Sequence, residues 1–391
     1  MRPPMDPGRY RSLWVGLVFV ALLPGAPPAA ADHYQREFLF SAAYGPGPDQ
    51  IGVAPGVYVS GEEEEQEPAS LCKLCVPAPD AIYVVDAVQM RIKRFDAAGR
   101  VAATAESVLG RLDVEGGANQ PEVLTPIGFI YDFAATPQGL SFAALGGANE
   151  KVEVFDSAGV PIASPRDSVG KISEARGWDR LLHQLRDSVP RISPAKADIC
   201  LVDTDEWGSV YLHVSPAANE YNVVLVKFDA DLKLVGTVPG FMVGWDGRTY
   251  GFVPSRGSEA NDRLNVYSPD GSLERTITLR PPPDVSEGDY NTVLHQWRGL
   301  YPLFDGGGNI YLVLNHRRPA DKWRELMPGF QISDDTVVYK FDPRGLFLMK
   351  LVLDGLPFWM DPPIAVDPDG NIYHLEYQKD RVDFVKERLA P

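Results

Sequence analysis

Cysteine is scarce in this chain. Cys72, Cys75 and Cys200 are the only three in 391 residues. So few exclude a disulfide-stapled mini-domain. The Cys72-x-x-Cys75 pair is followed by Val76 rather than His, which excludes covalent haem attachment. A zinc site needs a second pair, and Cys200 stands alone. The pair suits either a tight disulfide in an exported protein or a structural role at the border of a strand. Histidine is also sparse, at 6 residues, so clustered imidazole chemistry has little material. Basic charge is in deficit: 37 Lys and Arg face 53 Asp and Glu, for a formal net charge of −16. That balance argues against a nucleic-acid partner, which requires a basic face.

Long apolar runs are missing after the N-terminus. The one run present, Leu13 to Leu23, is too short to span a bilayer comfortably. It follows Arg2, Arg9 and Arg11, is broken by Pro24 and Gly25, and leads to Ala29-Ala30-Ala31. This order predicts a secretory signal peptide over residues 1–31, cleaved before Asp32. A secreted or periplasmic protein is expected, with no stable membrane span after the signal is removed.

What the chain has is repeats. Ala81 to Val101 holds the β-branched run Ile82-Tyr83-Val84-Val85, a polar break at Asp86 to Met90, and the alternating strand Arg91 to Phe95. The alternation predicts one wet face. Asp96-Ala97-Ala98-Gly99 closes the unit with turn chemistry. Further copies follow at Phe133–Gly159, Ile199–Asp229, Phe241–Gly271, Asn309–Gly345 and Ile364–Phe384. Each full copy supplies four strands, a to d from the inside out. The sixth runs out after strand c, and the unassigned strand Gln35 to Ser41 can fill its place. These counts predict an all-β, six-bladed β-propeller over residues 32–391, its ring closed by the N-terminal strand.

Apolar strand, Asp-Pro-Asp-Gly-Asn, Ile-Tyr, polar break and Arg-Val-x-x-Phe follow one another over residues 363–384, and 81–101 is similar. The arrangement resembles the NHL-repeat family of six-bladed propellers, with the TolB-like and gluconolactonase-like architecture. The resemblance implies the fold; function has to come from a site.

Loop lengths point to one face. The a–b turns (Thr136–Gly139, Asp305–Asn309, Asp367–Asn371) and c–d turns (Asp96–Gly99, Asp156–Gly159, Asp342–Gly345) are short. The chain spends its length on d–a connections such as Ala105–Thr125, Ala163–Lys196 and Arg280–Leu300, and on the b–c connection Asn315–Asp335. In a propeller these share a face, and insertions on one face mark a binding surface. An acidic flexible loop is expected over 43–70, around Glu62-Glu63-Glu64-Glu65. Helical inserts are expected at Ser173–Val189, at Asp289–Leu300 and, as a short turn, at Asp321–Met327. The candidate binding residues on this face are Asp86, Trp178, His183, Trp297, His316, Arg317, Arg318 and Glu376. Aromatic and arginine side chains suit stacking and bidentate contacts to a protein, peptide or glycan.

The first reading is thus a non-catalytic binding or scaffold propeller with no cofactor. The alternative comes from the resemblance: lactonase-like propellers are hydrolases that hold a divalent cation, commonly calcium, in the channel. It implies Asp132, Asp198 and Asp361 as the oxygen ligands a hard cation requires.

Overall fold

The computed structural model describes residues 34–52, 72–86, 89, 91–106, 129–146, 151–163, 197–216, 224–253, 263–279, 302–317, 333–353, 363–378 and 380–390. The first strand, β1 (Tyr34–Ala43), stands apart in sequence from its sheet. Blade one is β2 (Cys72–Ala78), β3 (Ala81–Asp86), β4 (Arg91–Phe95) and β5 (Val101–Glu106). Blade two is β6 (Phe129–Ala135), β7 (Ser141–Gly146), β8 (Lys151–Phe155) and β9 (Pro161–Ala163). Blade three is β10 (Ala197–Thr204), β11 (Val210–Pro216), β12 (Val224–Phe228) and β13 (Leu234–Val238). Blade four is β14 (Met242–Val243), β15 (Thr249–Phe252), β16 (Arg263–Tyr267) and β17 (Leu273–Thr278). Blade five is β18 (Leu303–Phe304), β19 (Ile310–Arg317), β20 (Ser333–Phe341) and β21 (Phe347–Leu353). Blade six has β22 (Ile364–Val366), β23 (Ile372–Tyr377) and β24 (Arg381–Leu389).

All six sheets are four-stranded antiparallel meanders, and blade six takes β1 as its outermost strand, in the order β1-β24-β23-β22. The expected six-bladed propeller and its N-terminal closing strand are therefore present. No helix occurs among the described residues, and the three expected helical inserts lie outside them. So do the expected signal segment 1–31 and the acidic run 62–65.

The core sits between blades. Strands with alternating patterns have two buried faces here, because each sheet packs against the sheet on either side. At the closing seam, Phe40 of β1 stacks on Phe384 of β24 with centroids 4.3 Å apart, and Phe95 of blade one lies 5.3 Å from both. A register shift between Phe38 and Phe40 lets Phe40 turn inward while Phe38 stays exposed.

Polar links between blades repeat at the a–b turns. Asp305 accepts hydrogen bonds at Oδ1 from the amides of Gly307 and Asn309, both 2.9 Å, and at Oδ2 from Tyr311 Oη at 2.8 Å. Asp205 bonds Tyr211 Oη at 2.9 Å, and Asp367 bonds Tyr373 Oη at 3.1 Å. All three carboxylates are buried. The next blade's turn glycine seats against the pairs of blades three and five: a Cβ on Gly370 would meet Tyr311 Oη at 2.9 Å and Asp305 Oδ2 at 3.0 Å. Gly370 also has φ +84°, which a side chain disfavours. Blade three seats Gly247 in the same way, beside Asp205. Burial, then the adjacent aspartate, raises the phenol pKa values of Tyr211, Tyr311 and Tyr373, so these tyrosines stay protonated donors.

The c–d turns of blades one, two and three use the same aspartate bonds without full burial. Asp96 Oδ1, for example, accepts from the amides of Ala98 and Arg100 at 2.9 Å. The two settings predict different costs. Asp305→Ala strands several buried donors and should destabilise the fold by about 3 kcal/mol or more, whereas Asp96→Ala, at an exposed turn, should cost much less. Urea denaturation of both variants checks the ranking; equal losses would remove the buried turn aspartates from their proposed role.

Candidate ligand-binding face

The described part of the connections respects the expected division of faces. The a–b turns are residues 79–80, 136–140, 205–209, 244–248, 305–309 and 367–371, and the c–d turns are equally brief. The long segments all fall on b–c and d–a connections. One d–a connection, 239–241, is short.

Two of the expected binding residues close b strands at matching positions, and both side chains are engaged from within. Asp86 is fully buried, with Lys93 Nζ 3.1 Å from its Oδ2 and Lys93 buried as well. The same oxygen accepts from the Gly52 amide at 2.8 Å, and Oδ1 accepts from the Gln89 amide at 3.0 Å. Lys93 also donates to the Gln50 carbonyl. The wet face expected for Arg91–Phe95 is thus corrected at Lys93, where the segment 44–52 folds over the strand. Ile51 of that segment is fully buried, and Tyr44 Oη reaches the Gln378 carbonyl at 3.0 Å. Residues 44–52 therefore strap blade six to blade one, and the first part of the expected acidic loop is ordered by Asp86 and Lys93.

Glu376 is buried, and Arg36 Nη2 of β1 lies 2.6 Å from both of its carboxylate oxygens. His374, also buried, places Nε2 3.4 Å from Glu387 Oε1. Asp383 beside them accepts from Ser41 Oγ at 2.6 Å and Arg381 Nε at 2.9 Å. Burial alone raises its pKa, but these donors outweigh it and hold the carboxyl below its ordinary range.

His316 and Arg317 lie at the end of β19, so the backbone brings them to the elaborated face. Trp178, His183, Trp297 and Arg318 lie outside the described residues. Of the implied cation ligands, Asp361 is likewise outside, and Asp198 is placed on inner strand β10. Asp132 is buried on inner strand β6, where it contacts Lys73 Nζ of blade one and accepts from the Val202 amide of blade three at 2.7 Å. An ammonium group already neutralises it, so Asp132 ties three inner strands together and is poorly disposed toward a cation. Among the described residues no cluster of three or more His, Cys, Asp or Glu suits a metal.

The sequence reading missed two features. Cys72 to Ala78 is the inner strand of blade one. Cα atoms three residues apart on a strand are about 10 Å apart, beyond the reach of a disulfide, so a Cys72–Cys75 bridge is excluded. Cys75 is a free thiol, and burial pushes its pKa up to about 11. The second is the plain end of the channel. Trp245 Nε1 in the blade-four turn donates to the Val366 carbonyl of blade six at 2.9 Å, reaching past blade five. The Glu206 amide bonds Trp245 O at 2.9 Å, and the Gly306 amide bonds Pro368 O at 2.8 Å. The a–b turns of blades three to six are thereby laced together at the plain end of the channel.

No known protein family matches the chain, and no curated protein matches its sequence. Among solved structures it is similar to a member of the DUF4221 family from Bacteroides vulgatus, at 9% identity over 91% of this chain and 99% of that one, TM-score 0.44. It is also similar to streptogramin B lyase, at 9% identity over 91% and 98% of the two chains, TM-score 0.35. A luciferin-regenerating enzyme matches at 10% identity over 82% and 92%, TM-score 0.38. Their functions differ, and the propeller assignment rests on this chain's own strand order.

Two outcomes follow. Asp86→Asn leaves a buried ammonium unpaired and should cost about 3–5 kcal/mol, part of which Lys93→Met in the same chain should restore. Chemical denaturation of the single and double variants measures this, and a neutral Asp86→Asn contradicts it. For Cys75, the raised pKa means the thiolate forms only as pH approaches 11. Its modification by a thiol reagent in the Cys72→Ser/Cys200→Ser background should be slow at pH 7 and accelerate steeply above pH 9.

Proposed function

We propose that this chain is an exported, non-catalytic binding propeller that recognises a protein, peptide or glycan on the face carrying its b–c and d–a connections. The division of loop lengths carries the reading. Turns on the plain face are short and mostly satisfied by their own aspartates, and the long connections leave from the opposite ends of the strands. Trp178, His183, Trp297, His316, Arg317 and Arg318 belong to or border those insertions. Indole faces pack on sugar rings or apolar side chains, and guanidinium groups grip carboxylates in a bidentate fork. Glu376 and Asp86 support this face from below through Arg36 and Lys93. The lacing of the plain end favours approach from the elaborated side. A net charge of −16 disfavours a nucleic-acid ligand. The calcium-dependent hydrolase alternative loses support from Asp132, whose carboxylate is taken by Lys73 and a backbone amide.

The mature chain, residues 32–391, should bind discrete members of glycan or peptide arrays. Trp178→Ala and the double variant Arg317→Ala/Arg318→Ala should weaken that binding by about tenfold or more with unchanged thermal unfolding. The plain-face variant Trp207→Ala should leave it intact. Binding indifferent to the elaborated-face variants overturns the reading, as does stoichiometric calcium with ester or lactone turnover lost on chelation.

A further inference from the structure

Four blades share a tyrosine–cation pair near the plain face, and one of the four lacks the carboxylate that goes with it. The tyrosine on strand b pairs in register with the cation on strand c: Tyr83 with Arg94, Tyr211 with Lys227, Tyr311 with Lys340 and Tyr373 with Lys386. Each cation lies over its tyrosine ring, between 5.1 and 5.8 Å from the centroid. In blades three, five and six the phenol donates to the turn aspartate. That aspartate stands two positions past the inner-strand residue paired with the tyrosine: Asp203, Leu303 and Ala365 lead to Asp205, Asp305 and Asp367. In blade one the paired residue is Cys75, and two positions on stands Pro77.

Proline offers no acceptor there. Tyr83 is buried, and its Oη has no hydrogen-bond partner. Arg94 Nε is buried and unpartnered as well. Arg91 and Lys93 on the same strand pair with Glu106 and Asp86, while Arg94 has no ion pair among the described residues. Asp80, the acid of this turn, is exposed and bonds neither atom. Burial is the main cause that raises the Tyr83 pKa, so the phenol keeps its proton, and a guanidinium can only donate. Two desolvated donors and a positive charge thus lie at one seam without an acceptor, an arrangement that costs stability unless something fills it.

Blade two shows the complete loss. It has Thr136 at the aspartate position, but also Phe142 for the tyrosine and Val154 for the cation, so no donor is stranded. Tyr250 of blade four lacks a bonded acceptor too. There a Cβ on Gly308 would meet Asp246 Oδ2 at 3.2 Å and Tyr250 Oη at 3.7 Å, so a carboxylate shares the phenol's surroundings. Blade one keeps the phenol and the cation and puts proline in the carboxylate's place. The next turn does not close on Tyr83 either. Where a Cβ on Gly370 meets Tyr311 Oη, the nearest neighbours of one on Gly139 are all atoms of Ser157.

We infer that the seam between blades one and two binds a small monovalent anion, halide or carboxylate, through Tyr83 Oη and Arg94 Nε. The anion does for this seam what Asp205, Asp305 and Asp367 do for theirs. Water satisfies the donors but leaves the guanidinium without a counter-charge. The site lies near the plain face and does not depend on the function proposed for the other one.

The mature chain, exchanged into a bulky sulfonate buffer, is titrated with sodium chloride and separately with sodium formate at constant ionic strength. The midpoint of thermal unfolding should rise saturably, by about 2 °C, with a Kd of about 10 mM or tighter. Tyr83→Phe and Arg94→Met should each weaken this response about tenfold, one donor to the anion being lost. Pro77→Asp gives blade one its own carboxylate and should abolish the response; if that variant does not fold, the other two decide. A lower Kd for formate names a carboxylate as the natural occupant, and a lower Kd for chloride names a halide. A midpoint indifferent to both anions overturns the inference. So does a saturable response that survives both Tyr83→Phe and Arg94→Met.

Discussion

A buried carboxylate at the turn between the inner two strands is the contact on which the ring depends. A propeller has no central core; each blade can only lean on its neighbours. Apolar packing between sheets supplies most of the attraction but little positional specificity. Asp205, Asp305 and Asp367 supply the specificity, since each fixes its own turn through amide bonds and also accepts a tyrosine hydroxyl. Tyr211 and Tyr311 in turn lie on the path to the next blade. Tyr311 Oη is 3.4 Å from Gly370 O, and Tyr211 Oη is 3.5 Å from Gly247 O. A side chain at either glycine would occupy the space the phenol and carboxylate share. Blade spacing is therefore set by a polar contact of fixed length.

Variation on this contact explains where the ring differs from itself. In blade four the carboxylate comes two positions later, from Asp246, and a Cβ on Gly308 of blade five would meet its Oδ2 at 3.2 Å. Blade two has Thr136 at the turn, which bonds the Leu140 amide at 3.2 Å and carries no charge. Blade one has lost the turn altogether. Its two seams are held by other means: the Phe40, Phe95 and Phe384 cluster, the strap 44–52 on Asp86 and Lys93, and the Asp132–Lys73 link. These substitutes gather where the two ends of the chain meet, the place where a ring assembled from a linear chain is weakest.

Much of this was legible in the residues. Asp-x-x-Gly-Asn-Ile-Tyr at 305–311 and Asp-Pro-Asp-Gly-Asn-Ile-Tyr at 367–373 announce a turn entering a buried strand, because only turn chemistry tolerates that polarity beside β-branched residues. Alternation marked the outer strands, and the missing fourth strand of the last blade matched the spare strand at 35–41. The inner strand Cys72–Ala78 was not legible. The paired cysteines were placed only at the border of a strand, since Pro77 interrupts the pattern and inner strands carry no alternation when both faces are covered. Lys93 looked like a solvated residue for a related reason: the segment that buries it lies far away in sequence at 44–52. Asp86 and Glu376 were found as notable carboxylates, but their partners, Lys93 and Arg36, could be named only once strands were in register.

The sequence alone determined the number of blades, the four-strand unit, the closing strand and the face that carries the insertions. All of these follow from short-range periodicity and turn residues, which act within one blade. Tertiary structure alone decided which charges are structural, because burial and pairing arise between blades. It placed Asp132 against Lys73, drew Trp245 across to Val366, and left Tyr373 without the glycine its counterpart Tyr311 receives. Each of these joins residues distant along the chain, and only closure of the ring brings them within bonding distance.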